Sequence, residues 1–318
     1  MRAYIIKRLL LAIPTTLLLT LMVFALTRIL PGDVAQLILG GGESPQIGTV
    51  GIETVRRELG LDSPLPIQYL QWLWDLLRGD LGLSLFTRTP VLGEILHRLP
   101  LTMQLGVMAT GLGVFVGVPI GIICAIYRNS WLDYTLRFWS IFFLSAPSFW
   151  LGLMFLLAVV RFLDWSPPMG YNLLWQHPKD NLLQLAWPAL ILGSHSIAVY
   201  ARYSRSQMLE VIREDYIRTA RAKGLAEMTI IMRHALKNAL IPIVTIMGTG
   251  LGHMLAGSVI MEQIFSIPGV GRYFLEAIKI HDFTVIQGLV AIISISFVFI
   301  NLAVDLVYGW LDPRISYA

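Results

Sequence analysis

Apolar residues in this chain gather in long runs uninterrupted by charge. Six windows stand out: Leu9–Thr27, Leu101–Ile126, Phe138–Val160, Asn181–Ala201, Asn238–Met261 and Phe283–Val304. None contains Asp, Glu, Lys or Arg. A helix rises about 1.5 Å per residue, so about 20 apolar residues cross a hydrocarbon core roughly 30 Å thick. The pattern therefore predicts an all-α polytopic membrane protein with six transmembrane helices. The fourth window is the least apolar, because it carries Pro188, Ser194, His195 and Ser196. An even number of crossings puts both termini on one side.

Two polar stretches between the windows have patterns of their own. In the long loop Pro31–Pro100, Pro64–Leu77 reads as a short helix. Leu65, Tyr69, Trp72, Leu73 and Leu76 lie on one face, and Ile67, Leu70, Trp74 and Leu77 crowd another. A segment apolar on most sides belongs on protein or in the membrane interface. Glu53–Leu59 and Val91–Leu99 are shorter helix candidates. The second stretch, Arg202–Lys237, starts with Met208, Ile212, Tyr216 and Ala220 at i+4 spacing, one stripe on a helix continuing from the fourth window. Lys223-Gly224 interrupts it, glycine permitting a sharp turn. Met228, Ile231 and Leu236 then form a second stripe against Glu227, Arg233 and Lys237. The expected shape is a helix–turn–helix elbow with two apolar faces that need a partner.

Composition supports the membrane reading. Of 318 residues, 56% are hydrophobic and 14% charged, against about 25% charged in a soluble domain. A net charge of +4 fits positive charge at a cytoplasmic face better than nucleic-acid binding. With the N-terminus inside, the cytoplasmic segments hold Arg2, Lys7, Arg8, Arg128, Arg137, eight Lys/Arg between Arg202 and Lys237, and Arg314. Short outer loops carry Lys179, Arg272 and Lys279. The first outer loop is too long for the rule to count it. Both termini are thus expected in the cytoplasm. Trp131, Trp165, Trp175, Trp187 and Trp310 sit near window ends, at headgroup depth. No small-x-small site follows Leu9–Leu26, so the first apolar run is expected to be a retained helix. The lone Cys124 lies in an apolar run and reads as a packing residue.

Candidate catalytic chemistry is sparse. None of the five lysines follows a glycine or precedes Ser or Thr, so no phosphate-cradling loop is present. There is no His-Glu-x-x-His metal helix. Gly193-Ser194-His195-Ser196 pairs a serine with a histidine, but neighbours on a helix point about 100° apart and no acid lies nearby. Neither a catalytic nor a metal site is expected. No Asp or Glu occupies the middle of a window, which argues against an ion-coupled secondary carrier. His195 and His253 are candidates either for a translocation path or for an interhelical hydrogen bond. Ser194, Ser196, Thr249 and Ser258 are weaker path candidates, since hydroxyls can bond their own helix. Asp305, toward the inner end of the last window, reads as a structural pairing.

Tyr216-Ile217-Arg218-Thr219-Ala220-Arg221-Ala222-Lys223-Gly224-Leu225, with Arg233-His234-Ala235-Leu236-Lys237 and Pro242, resembles the coupling loop of ABC importer permeases. The general pattern is Glu-Ala-Ala, three residues, Gly, nine residues, then Ile-x-Leu-Pro. Here Arg218-Thr219-Ala220 replaces the triplet, Gly224 keeps its spacing, and His234 and Lys237 replace the later Ile and Pro. These departures fit the dipeptide/oligopeptide/nickel branch. Further stretches resembling that branch are Arg8-Leu9 to Leu30-Pro31-Gly32-Asp33, Arg98–Thr102, Ala146–Gly152, Ile267–Arg272, Ile286-Gln287-Gly288 and Asp312–Ile315.

The long first loop resembles the B-type permease of such systems. The resemblance implies a type I importer permease fold. It divides the chain into residues 1–97 (first helix and outer loop), 98–309 (permease core with coupling loop 202–237) and 310–318 (cytoplasmic tail). Residues 216 and 218–225 would contact an ATPase. The implied partners are a second permease subunit, two ATPase subunits holding ATP and magnesium, and an extracytoplasmic solute-binding protein in a cytoplasmic membrane. The cargo would be peptides or, as in close relatives, nickel, glutathione, opines or oligosaccharides.

Overall fold

The computed structural model describes residues 2–29 and 63–311, with side chains at 2–9, 26–29, 241, 244–245, 247–249, 251–257 and 304–311 outside the described set. The candidate helix Glu53–Leu59 also lies outside the described residues. Those described are almost entirely helical. The helices are α1 (Arg2–Ile29), α2 (Leu65–Leu77), α3 (Val91–Leu112), α4 (Val118–Ile126), α5 (Trp131–Ser145), α6 (Ser148–Leu163), α7 (Pro178–Val211), α8 (Asp215–Ala222), α9 (Leu236–Ile264), α10 (Val270–Lys279) and α11 (Phe283–Leu311). A π-helical turn, Gly113–Gly117, joins α3 to α4. A single turn Glu227–Thr229 and a second π turn, Ile230–Ala235, lead into α9.

Every apolar window falls within these helices, with two differences of shape. Val91–Leu99 is not separate from the second window: α3 runs through Pro100, and Val91–Ile126 forms one long apolar segment. The third window is broken. α5 and α6 meet at an angle of 101° around Ala146-Pro147. Proline has no N–H for the helix ladder and drives the preceding residue out of the α region, and Ala146 is extended, with ψ 125°. By length and composition, Val91–Ile126, Pro178–Val211 and Phe283–Ala303 can each cross a bilayer, as can the bent pair taken together. The 34 residues of α7 span about 50 Å, well beyond the hydrocarbon core.

The chain divides into two compact units. In the first, mostly Pro100–Gly271, α7 is the central helix. Gly113, Gly117 and Gly121 repeat every fourth residue and let its backbone come close. A Cβ at Gly117 would lie 2.6 Å from the Ile197 carbonyl oxygen, and one at Gly121 would overlap Ser204 Oγ. Small residues at this spacing favour close helix packing within a membrane. We expect Gly117→Ala to lower the thermal unfolding temperature of the detergent-solubilised complex by overpacking, at a cost of about 2 kcal/mol. Gly111→Ala, where an added Cβ meets only Phe115, at 4.0 Å, should leave that temperature unchanged or raise it.

At the other end of this unit, Leu101, Leu105, Leu185, Met261 and Ile267 form a fully buried core. Beside it, the buried Thr102 hydroxyl donates to Glu262 Oε1 at 2.8 Å and accepts from the Val270 amide at 2.8 Å. A side chain at Gly269 would collide with that glutamate, and one at Gly271 with Val259 beside it. The sequence stretches Arg98–Thr102 and Ile267–Arg272 therefore meet at one buried carboxylate.

The second unit comprises Ile6–Leu99 and Arg272–Phe299. Here Asp282 caps α11 through the Val285 amide (3.3 Å) and also accepts from Ser84 Oγ (2.6 Å) and the Leu85 amide (3.1 Å). It is buried, so it pins the 83–90 turn to the start of the last long helix. Gly288, of the Ile286-Gln287-Gly288 stretch, leaves room there for Val91 and Leu81.

Candidate functional site

The elbow predicted from Arg202 to Lys237 is present, with different phases. The first stripe does not run along one continuous helix. α7 stops at Val211, Glu214 is extended (ψ 148°), and α8 begins at Asp215. Two carboxylates at this point suit a new helix N-terminus, where the helix dipole favours negative charge. The restart turns Ile217 inward in place of Tyr216, which is exposed. In the second stripe, the π turn adds a residue and rotates the faces. Ile230, Ile231 and Ala235 go inside, while Met228 faces out and Leu236 is half-buried.

The inner faces close on a dry core of Ala125, Met208, Ile217, Ala220, Ile230 and Ala235. Burying a side chain the size of Met or Ile contributes about 2 kcal/mol, so three of them give the elbow its own stability. α8 ends in a Schellman turn, with Leu225 N–H donating to the Ala220 carbonyl (3.4 Å) and Gly224 N–H to that of Arg221 (2.9 Å). Gly224 sits at φ 76° with nothing within 4 Å of an added Cβ, so glycine is needed there for its backbone alone. Across this turn Arg221 forks onto Glu227, Nε–Oε2 at 3.1 Å and Nη2–Oε1 at 2.6 Å. The guanidinium holds the Glu227 carboxyl below its usual range. Both groups are well exposed, so the pair contributes at most about 1 kcal/mol.

Of the residues singled out in this loop, Ala220 is buried, while Tyr216, Arg218, Thr219, Arg221, Ala222, Lys223, Gly224 and Leu225 are exposed. The outward apolar surface consists of Tyr216, Leu225 and Met228 (67% exposed), whereas Met232 (55% exposed) opens onto an apolar groove with Phe115, Ile122, Leu236 and Leu240. Met228 extends the site beyond the residues chosen from sequence.

An ion pair with a buried carboxylate and a partly exposed guanidinium braces the base of the elbow. Arg205, one turn before Met208, forks onto Asp133, with Nε–Oδ1 and Nη2–Oδ2 both 2.9 Å. Asp133 also accepts from the Asn129 amide (3.1 Å), and its own amide donates to Ser130, the N-cap of α5 (3.2 Å). Asn129 takes the left-handed conformation, φ 63°, which Asn tolerates well. The Asp133 side chain has no solvent exposure. Sequence reasoning missed the pair, because Arg205 counted as one of many basic residues. The available signal was Ser130-x-x-Asp133, a capping pattern at a helix start.

Among the described candidate path residues, His195 and Ser196 lie on different faces of α7. His195 is exposed, on the face of α7 opposite the glycine seam. Ser196 is buried against Gly113, Ser194 bonds the Ile191 carbonyl in its own helix (2.7 Å), and Ser258 is buried. The side chains of Thr249, His253 and Asp305 lie outside the described residues.

Comparison with known proteins places this geometry in a family. Residues 117–317 match the profile of the binding-protein-dependent transport system inner membrane component, and residues 1–106 match that of its N-terminal region. The dipeptide transport system permease protein DppB of Alkalihalophilus pseudofirmus is 40% identical over all of this chain and all of its own length. The glutathione transport system permease protein GsiC of Pectobacterium atrosepticum is 40% identical, covering 99% of each chain. DppB of Escherichia coli K12 is 39% identical over all of this chain and 99% of its own. Among solved structures, an inward-facing form of the MetNI methionine ABC transporter shares the fold. Its TM-score is 0.57 at 19% identity, covering 69% of this chain and 96% of that one. The chain thus belongs to the family of binding-protein-dependent transport system inner membrane components, as a non-catalytic membrane permease subunit of an ABC importer.

Proposed function

We propose that this permease carries peptides inward and that its Arg202–Lys237 elbow is where the ATPase grips it. The observation that carries this reading is the elbow's construction: a closed core anchored on Ala125 of α4, with Tyr216, Leu225 and Met228 left exposed. A loop that only fixed topology by charge would need neither. In this reading six helices cross the membrane, both termini are cytoplasmic, and residues 98–309 form the permease core. A second permease subunit completes the path, two ATPase subunits supply ATP and magnesium, and a solute-binding protein delivers cargo from outside. ATPase closure would draw the elbows together and rock the helices between inward-open and outward-open states. His195, exposed on α7, is the candidate path residue that we carry forward. Peptide cargo is favoured by the likeness to the two DppB proteins; the likeness to GsiC makes glutathione the second candidate.

Affinity purification of the tagged chain from its native membrane should recover two ATPase subunits and a second permease. The purified assembly should hydrolyse ATP faster when its binding protein and a dipeptide are both added. A chain that transports alone in proteoliposomes, under an ion gradient and without ATP, would overturn the reading.

A further inference from the structure

We propose that α2, the helix Leu65–Leu77 of the first loop, is a membrane-interface anchor. It would lie in the acyl–headgroup boundary of the leaflet at the C-terminal end of α1. At about 100° per residue its surface divides into three arcs. The first, with Gln68, Tyr69, Trp72 and Leu73, is turned toward protein. Tyr69 pairs its hydroxyl with Thr20 of α1 at 3.0 Å, and its ring and that of Trp72 sit 5.5 and 6.1 Å from the Phe24 ring. The second arc is apolar and open: Leu70 is 62% exposed, Trp74 56% and Leu77 73%. The third, Gln71, Asp75 and Arg78, is polar and also exposed.

A helix docked wholly on protein would not need an open apolar arc, and one standing in water would not tolerate it. Apolar and polar arcs side by side, the apolar one carrying a tryptophan, are the composition of an interfacial helix. The depth agrees. Thr20 and Phe24 lie within about 10 Å of the end of the Leu9–Thr27 window, and interfacial helices sink about 5–10 Å. Arg78 lies over the Trp74 ring, 4.7 Å from its centroid, placing a cation beside the aromatic where lipid phosphates sit.

The inference rests on the proposed reading of α1 as a span, so its test includes a control on α1. In a Cys124→Ser background, Leu18→Cys, Leu70→Cys, Asp75→Cys and Leu77→Cys would each carry a nitroxide. The complete transporter would be placed in nanodiscs of phosphatidylethanolamine and phosphatidylglycerol. Labels at positions 70 and 77 should collide more with oxygen than with a water-soluble nickel chelate, as the label at 18 does, while position 75 shows the reverse. Labels at 70 and 77 that meet nickel as readily as position 75 overturn the anchor. So do labels there shielded from both reagents, because protein then covers the arc. A label at 18 lying in water removes the span itself, and the anchor with it.

Discussion

Gly224→Pro abolishes ATP-driven uptake, while the variant chain still assembles with its ATPases. Proline is confined to φ near −65°, and position 224 sits at φ 76°. It also lacks the N–H that bonds the Arg221 carbonyl. The Schellman turn cannot form, so the two legs of the elbow lose their fixed angle. Gly224→Ala is the graded control. Its Cβ meets nothing, so it bears only the left-handed backbone cost of about 1–2 kcal/mol; uptake should fall without vanishing. The measurement is uptake and ATP hydrolysis in the same proteoliposomes. Hydrolysis persisting without uptake is the expected result for Gly224→Pro. Normal uptake by that variant would mean that the elbow does not transmit motion.

Asp133→Ala has the second large effect. It leaves the partly exposed Arg205 at the base of the elbow with its main partner gone, and losing a hydrogen-bonded charged partner costs about 2 kcal/mol. The yield of assembled complex should drop several-fold. Replacing both members with apolar residues of similar volume, Asp133→Leu with Arg205→Met, removes the stranded charge and should restore the yield. Size-exclusion chromatography of the solubilised complex reads this directly. If Asp133→Ala assembles as well as the parent, the pair is not a brace.

Much of the architecture is legible in the sequence because lipid demands it. Six charge-free windows fall inside helices, and the elbow turns where Lys223-Gly224 says it should. The differences have local causes. Pro147 breaks the third window at Ala146, which a count of apolar residues does not register. The Glu214-Asp215 helix start and the Ile230–Ala235 π turn each rotate a face, so Tyr216 and Met228 point outward where a uniform 3.6-residue period turns them inward. The Asp133–Arg205 fork joins residues 72 positions apart, and nothing in local spacing marks that pairing. Thr102 and Glu262, 160 positions apart, are hidden in the same way, although each lies in or beside a stretch that resembled the family.

If the elbow is the ATPase grip proposed above, Met228 gives it a compliant outer skin. An unbranched thioether has three rotatable bonds and a polarisable sulfur, so it can keep contact with a surface that changes shape. A joint that must hold its grip through every stroke of a moving partner benefits from such softness more than from a rigid fit. The same softness is a point of wear. Oxidation to the sulfoxide turns this side chain polar and chiral, so oxidative damage at Met228 would stiffen and wet the proposed grip while leaving the helices that span the membrane intact.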